Sequence, residues 1–116
     1  MEKAEIKVMY DKDEDILSLF KEGRKAKLSQ EINLPDGDMI VDFASDGLVA
    51  GLEFFNASNY FPFLDNAKIE SMKAKMSVKY GKNAIIIFYN VMASGKKELS
   101  KEIVISPYSK KMILEN

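Results

Sequence analysis

Apolar and polar residues alternate with a period of two along most of this chain, and that period predicts β-strands. In EIKVMY, residues 5–10, Ile6, Val8 and Tyr10 fall on one face while Lys7 and Met9 fall on the other. The same pattern predicts further strands over residues 15–20, 27–34, 39–44, 48–55, 72–80, 84–92, 98–105 and 112–116. The stretch AIIIFYNVM, residues 84–92, is apolar on both faces, which favours a central strand.

Turn residues separate these strands, and one segment breaks the alternation. PDGD at 35–38 and SDG at 45–47 predict tight turns, because Pro presets φ and Asp-Gly accepts positive φ. Residues 56–72 lack the period of two, and Asn56, Ser58 or Asn59 is a candidate helix N-cap. We therefore predict one helix within 57–70, with Pro62 tolerable only in a first turn. Gly51 predicts a bulge or a close backbone contact.

A short pattern occurs twice, as LSQEI at 28–32 and LSKEI at 99–103. Leu28 matches Leu99 in phase, and the flanking strands match in the same order. This predicts that one four-strand meander occurs at 6–43 and again at 76–116, joined by a strand and helix segment over 44–75. The alternative is that any two meanders look alike.

These patterns predict a single α+β domain over 1–116. It is mainly antiparallel, with eight to nine strands and one helix after the fifth strand, packed on a sheet face. The two meanders form a sandwich or a half-open barrel. A chain of 116 residues with 47% hydrophobic residues has the composition of a globular domain.

Composition excludes several kinds of chemistry. The chain has no Cys, so disulfides, thiol catalysis and thiolate metal sites are excluded. It has no His, which removes the serine, histidine and aspartate triad and the commonest zinc ligand. The net charge of −1, from 17 basic and 18 acidic residues, argues against a broad nucleic-acid footprint. We expect a non-enzyme without a cofactor.

The N-terminus is charged from Glu2 onward and has no apolar signal-peptide core. No apolar run has the length of a membrane span. We therefore expect a cytoplasmic protein without a membrane partner.

Candidate metal and catalytic residues are acidic. DKDED places Asp11, Asp13 and Asp15 at the spacing of a calcium loop, and Glu22 falls at its twelfth position. Ile16 stands where that loop needs Gly, so we interpret DKDED as a turn whose carboxylates accept backbone N–H bonds, with no metal. Four acidic residues lie on predicted strands, and two of them held across neighbouring strands could serve a glycosidase-like mechanism: Glu31, Asp42, Glu53 and Glu102. The alternative is acidic residues facing solvent.

Small basic spots are the candidates for nucleic-acid binding. Lys96 and Lys97 lie in one predicted turn, and Lys110 and Lys111 lie in another, near Tyr108. Net charge argues against that function, so nucleic acid is an unlikely partner.

FFNASNYFPF, residues 54–63, holds five of the twelve aromatic residues: Phe54, Phe55, Tyr60, Phe61 and Phe63. Adjacent Phe54 and Phe55 must face opposite sides of a strand. The five are either core or an aromatic interface. The interface interpretation predicts a homodimer with Phe55, Tyr60 or Phe61 at its centre.

The first half resembles a family of small prokaryotic proteins known as domain of unknown function 2283. YDKDEDILSL (10–19) and IVDFASDGLVAGLEFFNAS (40–58) carry the resemblance, and the matching residues are Tyr10, Asp11, Asp15, Asp46, Gly47, Gly51, Glu53, Ala57 and Ser58. The chain departs from the family at Ser18, where Tyr is usual. The resemblance covers about 6–58 and implies a small β-rich fold with a helix after the fifth strand. It implies no activity, because none is established for the family.

Three functions follow from these observations. The preferred one is a small non-catalytic protein-interaction module that self-associates, with an unknown protein as a further partner. The alternative, which the resemblance suggests, is an antitoxin-like regulator that binds a partner protein or nucleic acid. The third is a carboxylate-based enzyme.

Overall fold

Eight strands and one short helical segment make up the part of the fold that a computed structural model describes. It describes residues 2–35, 37–65, 71–94 and 97–111. The elements in chain order are β1 Glu2–Asp11, β2 Ile16–Lys21, β3 Leu28–Leu34, β4 Gly37–Phe43, β5 Val49–Phe55, helix α1 Ala57–Tyr60, a 3₁₀ helix Pro62–Asp65, β6 Lys73–Tyr80, β7 Ile85–Met92 and β8 Leu99–Ile105. The eight strands expected over these residues are confirmed, while the strand expected over 112–116 lies outside the described residues.

All eight strands form one antiparallel sheet with the order β3-β4-β5-β2-β1-β6-β7-β8. Sequential neighbours pair through the predicted turns. At PDGD, Leu34 pairs with Gly37. Two connections leave the meander pattern, since the chain passes from β2 to the edge strand β3 and from β5 through the helices to β6. The sheet therefore places β2 beside β5 at its centre.

The sheet curls into a half-barrel around one hydrophobic core. Phe54 on β5 contacts Tyr89 on β7, with ring centroids 5.2 Å apart, although three strands lie between the two in the sheet order. At the other end of the curl, the Val49 N–H donates to the Tyr80 hydroxyl at 3.0 Å. The curled shape agrees with the half-open barrel expected from the sequence.

One helix lies within 57–70 as predicted, and residues 66–70 of that range lie outside the described residues. α1 covers four residues and ends at Tyr60, and Pro62 then begins a 3₁₀ helix. Pro62 has no N–H to donate to an α-helical hydrogen-bond ladder, so the α-helix ends before it. This is the limit that the sequence analysis gave for Pro62, which is tolerable only in a first turn. Phe61 packs against both Phe54 and Tyr89, so this segment lies on the core side of the sheet.

The two halves of the predicted repeat differ in strand pairing. β7 pairs with β8, whereas the matching strand β2 pairs with β5 and leaves β3 at the sheet edge. Segment 6–43 is therefore not a four-strand meander, and the fourth strand of the second copy falls outside the described residues. A structural repeat would bury both Leu28 and Leu99. They are half-buried instead and pack against the core from the two edges.

Among the described residues, no helix combines the length and apolar character needed to cross a membrane.

Candidate functional site

The sheet has an inner face, which lines the core, and an opposite face that we call the outer face. Side chains alternate between the two, so Phe54 points into the core while Phe55 points outward, as the sequence analysis required. Three of the five candidate interface residues, Phe54, Tyr60 and Phe61, are buried within the chain. Phe55 and Phe63 are partly buried and keep some exposed surface.

Apolar side chains cluster at the centre of the outer face. They come from four adjacent strands, and we call them the apolar centre: Met9, Ile16, Phe20, Ile40 and Phe55. Met9 is 61% exposed, and the other four are partly buried. α1 and the 3₁₀ helix lie on the other side of the sheet, so they do not cover this cluster.

Two carboxyl groups meet beside the apolar centre. Glu53 on β5 hydrogen-bonds Asp42 on β4, and the Ser29 hydroxyl donates to Asp42 Oδ1 at 2.5 Å. Burial, and then the hydrogen bond and negative charge of Asp42, raise the pKa of Glu53 to about 7. The pair therefore holds a proton near neutral pH that a single exposed carboxylate would release.

This pair does not have the geometry expected of a glycosidase. Glycosidase carboxyl groups stand about 5–9.5 Å apart so that a sugar or water fits between them, whereas Asp42 and Glu53 are in direct hydrogen-bonding contact. Glu31 is exposed on the edge strand β3, and Glu102 is exposed on β8 at the opposite edge. The structure thus brings together two of the four candidate carboxylates.

Other residues of the family resemblance form a latch between the β1–β2 hairpin and α1. Asp15 accepts hydrogen bonds from the Tyr10 hydroxyl at 2.7 Å and from the Ser58 hydroxyl at 2.7 Å. It also accepts from the Ser58 N–H at 3.0 Å, while the Ala57 N–H donates to its carbonyl. Burial opposes ionisation of Asp15, but these hydrogen bonds outweigh it and lower its pKa. Asp15 thereby caps a helix whose own N-cap residue, Asn56, makes no side-chain bond.

The remaining matched residues are explained by close packing and turn geometry. A methyl group at Gly51 would lie 2.7 Å from the Leu19 carbonyl oxygen, so β5 and β2 approach each other too closely for a side chain. Gly47 has a φ of +84° in the β4–β5 turn. Asp46 binds Arg24 Nη1 at 2.6 Å. Burial opposes ionisation of Asp46, but Arg24 and the Leu48 N–H outweigh it and lower its pKa.

Comparison with known families agrees with this motif. The family described as protein of unknown function DUF2283 matches residues 7–58. The chain is also 30% identical over 102 residues to the uncharacterized protein MJ0789 of Methanocaldococcus jannaschii, an alignment that covers 86% of this chain and 84% of that protein. The chain belongs to the DUF2283 family. No solved structure matches it.

The DUF2283 match spans β1 to the start of α1, so it includes the apolar centre, the Asp15 latch and Glu53. Ser18, where this DUF2283 chain departs from the usual Tyr, lies on the outer face between Met9 and Glu53. The residue that differs from the family pattern therefore lies on the candidate surface and not in the core.

Outside the DUF2283 match, lysines follow one another along the outer face of β6. Lys73, Lys75 and Lys79 point outward, and Lys7 on β1 lies beside them, since Ile6 pairs with Ala74. We call these four residues the lysine row. Lys7, Lys73 and Lys75 line a groove of about 1510 Å³, whose lining also includes Glu22, Phe88, Asn90 and Glu102. The sequence analysis missed this row, although MKAKMSVKY carries Lys at alternate positions.

The predicted acidic turn and Tyr108 have structural roles in this DUF2283 protein, while Lys96 of the basic spots lies outside the described residues. Asp11 Oδ1 accepts the N–H groups of Asp13 and Glu14, each at 3.1 Å, which confirms the turn interpretation for Asp11. Tyr108, which was considered beside a basic spot, is buried, and its hydroxyl donates to the Gly47 carbonyl oxygen at 2.7 Å. It also stacks on Phe43 with centroids 5.7 Å apart, so it belongs to the core.

Proposed function

We propose that this DUF2283 protein is a small non-catalytic interaction module that self-associates through the outer face of its sheet. The observation that carries the proposal is the apolar centre, which spans four adjacent strands and lies on the face that the helical segment leaves uncovered. Burying partly exposed apolar surface stabilises an association by roughly 25 cal/mol for each Å² removed from water. Contiguous patches of this kind mark interaction sites in soluble proteins.

A second copy of the chain is the simplest partner. Two-fold closure is the commonest arrangement of soluble oligomers, because one patch then serves both partners. A hollow of about 270 Å³, lined by Met9, Ile16 and Ser18 among others, lies within the same face. A recess of that size accepts a large apolar side chain, such as Phe55, from another copy.

Light scattering after size exclusion at micromolar concentration tests this function. We expect wild type to elute with a mass above the 13.1 kDa of one chain. The double variant Met9→Ser with Phe55→Ser should shift towards that single-chain mass, because it removes apolar surface that only the associated state buries. Wild type at the mass of a single chain would contradict the proposal.

Val104→Ser is the matched control, since Val104 is also 61% exposed but lies on the edge strand β8, away from the apolar centre. We expect this variant to associate as wild type does. Tyr60→Ser and Phe61→Ser are unsuitable as interface tests, because both residues are buried in the core and their loss would unfold the chain.

A further inference from the structure

We propose that Met9 is a redox-sensitive position, at which peroxide converts the thioether to a sulfoxide and thereby weakens the self-association of this protein. The inference rests on the proposed function, since Met9 belongs to the apolar centre. It adds a modification site, the chemical class of its reagent and a way in which association is regulated.

Methionine sulfur is the group in this chain that peroxide attacks. Cysteine thiolates and methionine thioethers are the side chains that such oxidants convert most readily. The chain has no Cys and no Trp, but it has seven Met. The response of this protein to peroxide therefore depends on which methionines the fold exposes.

The fold exposes the methionines very unequally. Met39, Met72 and Met76 are buried, with at most 7% of each residue exposed. Met92 on the outer face of β7 is partly buried, whereas Met9 is 61% exposed. Oxidation of a buried methionine requires an opening of the fold, and Met9 needs none. Met9 is therefore expected to react first among the methionines that the structure describes.

Strand pairing explains the exposure of Met9. On one side Met9 is opposed by Ser18, a small residue of β2. On the other side, the pairing of β1 with β6 runs from Glu2 to Ile6 within the described residues, so it ends before Met9. The outer face is also the convex side of the curled sheet, on which neighbouring side chains diverge. A small oxidant therefore reaches the Met9 side chain without any movement of the backbone.

The reaction needs peroxide and no other reagent. The sulfur lone pair of Met9 attacks one peroxide oxygen, so an S–O bond forms and the O–O bond breaks. The departing hydroxide takes the proton of the transferred oxygen and leaves as water. Sulfur thereby loses two electrons, and peroxide gains them. The hollow of about 270 Å³ that Met9 lines has room for so small a reagent.

The folded chain accommodates the sulfoxide. Met9 and Ser18 are directly opposed on the outer face, so their side chains are neighbours. The Ser18 hydroxyl can donate a hydrogen bond to the new S=O oxygen, and water reaches the exposed part of the side chain. Oxidation at Met9 should therefore leave the fold intact, unlike a polar atom placed at Met39 in the core.

The polarity of the sulfoxide acts on the associated state. Two convex faces touch over a small area around their centres, so each side chain there contributes a large share of the contact. A second copy that covers Met9 would remove water from the sulfoxide oxygen, which costs free energy. Oxidation therefore favours the single chain. Enzymatic reduction of the sulfoxide returns the thioether, so the change is reversible.

Peptide mapping after mild treatment with hydrogen peroxide tests the site. The protein is treated at a concentration at which single chains predominate, so that no second copy covers Met9. Trypsin then places each methionine in a separate peptide, with Met9 in residues 8–12 and Met39 in residues 28–68. The peptide with Met9 should gain the mass of one oxygen atom at least about tenfold faster than the peptide with Met39. Equal rates would overturn the assignment of Met9.

Light scattering over a concentration series, before and after treatment, tests the effect on association. Peroxide should raise the dissociation constant of wild type by about tenfold or more, and methionine sulfoxide reductases should restore it. In Met9→Leu, which has no sulfur at this position, treatment should leave that variant's own dissociation constant unchanged. Met92→Leu is the matched control and should respond to peroxide as wild type does. Circular dichroism verifies that the treated samples remain folded.

The outcomes separate this inference from the proposed function. A wild type that is monomeric before treatment removes the proposed function and the effect of oxidation with it. Association that survives complete oxidation of Met9 leaves the proposed function standing and overturns the effect of oxidation. Weakened association in treated Met9→Leu would assign the effect to another methionine and overturn it as well. Weakened association in treated wild type, with Met9→Leu unaffected, supports the inference.

Discussion

At the scale of single residues, Glu53 shows how the fold changes the chemistry of a side chain. Its position on β5 places it outward, but the neighbouring strands bury it partly and set Asp42 within hydrogen-bonding distance. A carboxylate in that position loses solvation and meets a second negative charge, so the protonated form is favoured. Nothing in the local sequence around Glu53 contains this information, because Asp42 lies on another strand.

The Glu53 pKa predicts how stability changes with pH. The folded-state pKa of about 7 lies above the ordinary value of 4.5. The folded chain therefore binds more protons than the unfolded chain between these values, and stability decreases as pH rises through that window. We expect Glu53→Gln, which stays neutral, to gain stability over wild type from pH 5 to pH 8 in urea denaturation.

Glu31→Gln is the control for that measurement, since Glu31 is an exposed acid on the neighbouring edge of the same face. Its difference from wild type should stay constant with pH. A Glu53→Gln difference that is equally flat between pH 5 and pH 8 would show that Glu53 is ionised throughout.

At the scale of elements, the repeated LSxEI pattern marks the two edges of the sheet. β3 and β8 are its outermost strands, and each carries one half-buried Leu followed by three exposed residues. Each serine also makes an equivalent outward contact, as Ser29 bonds Asp42 on β4 and Ser100 accepts from Asn90 on β7. An edge strand has one neighbour and is covered less completely than a central strand, so the same pattern suits both edges.

Edge position predicts the cost of truncating the repeated leucines. Leu28→Ala and Leu99→Ala should each destabilise the protein by about 1–2 kcal/mol, because half-buried side chains lose less contact than fully buried ones. Leu19→Ala, at a fully buried position of β2, should cost about 2–5 kcal/mol. Chemical denaturation measures all three, and an equal cost at Leu19 and at both edges would contradict the edge interpretation.

At the scale of the whole molecule, contacts between aromatic residues that lie far apart in the sequence hold the curled sheet in shape. Tyr108 follows the last edge strand, stacks on Phe43 and lies 6.1 Å from the Tyr80 ring. Its hydroxyl reaches the Gly47 carbonyl oxygen across 61 residues of sequence. Burial and then the charge of Asp46 raise the pKa of Tyr108, so its hydroxyl keeps the proton that it donates.

Two substitutions at Tyr108 separate the hydroxyl from the ring. Tyr108→Phe should cost about 1–2 kcal/mol, because a buried carbonyl oxygen loses its donor. Tyr108→Ala should cost about 3–5 kcal/mol, because the ring also leaves a cavity. Thermal or urea unfolding measures both, and a Phe variant as stable as wild type would show that water replaces the hydroxyl bond.

The sequence by itself determined the eight strands, their turns and the break at the helical segment. These features depend on local properties, namely the alternation of side chains, the φ preferences of Gly and Pro, and turn chemistry. It also determined that Phe54 and Phe55 face opposite sides, and the motif that identifies the family. Each of these can be derived from residues near one another in the chain.

Tertiary structure alone decided which strands are neighbours, and with them the composition of the outer face. The pairing of β2 with β5 sets Glu53 among Met9, Ile16 and Phe20. The same alternation in sequence is compatible with many strand orders, because the period of two specifies a face and not a neighbour. Long-range packing, such as Phe61 between β5 and β7, selects one order and thereby creates the candidate site.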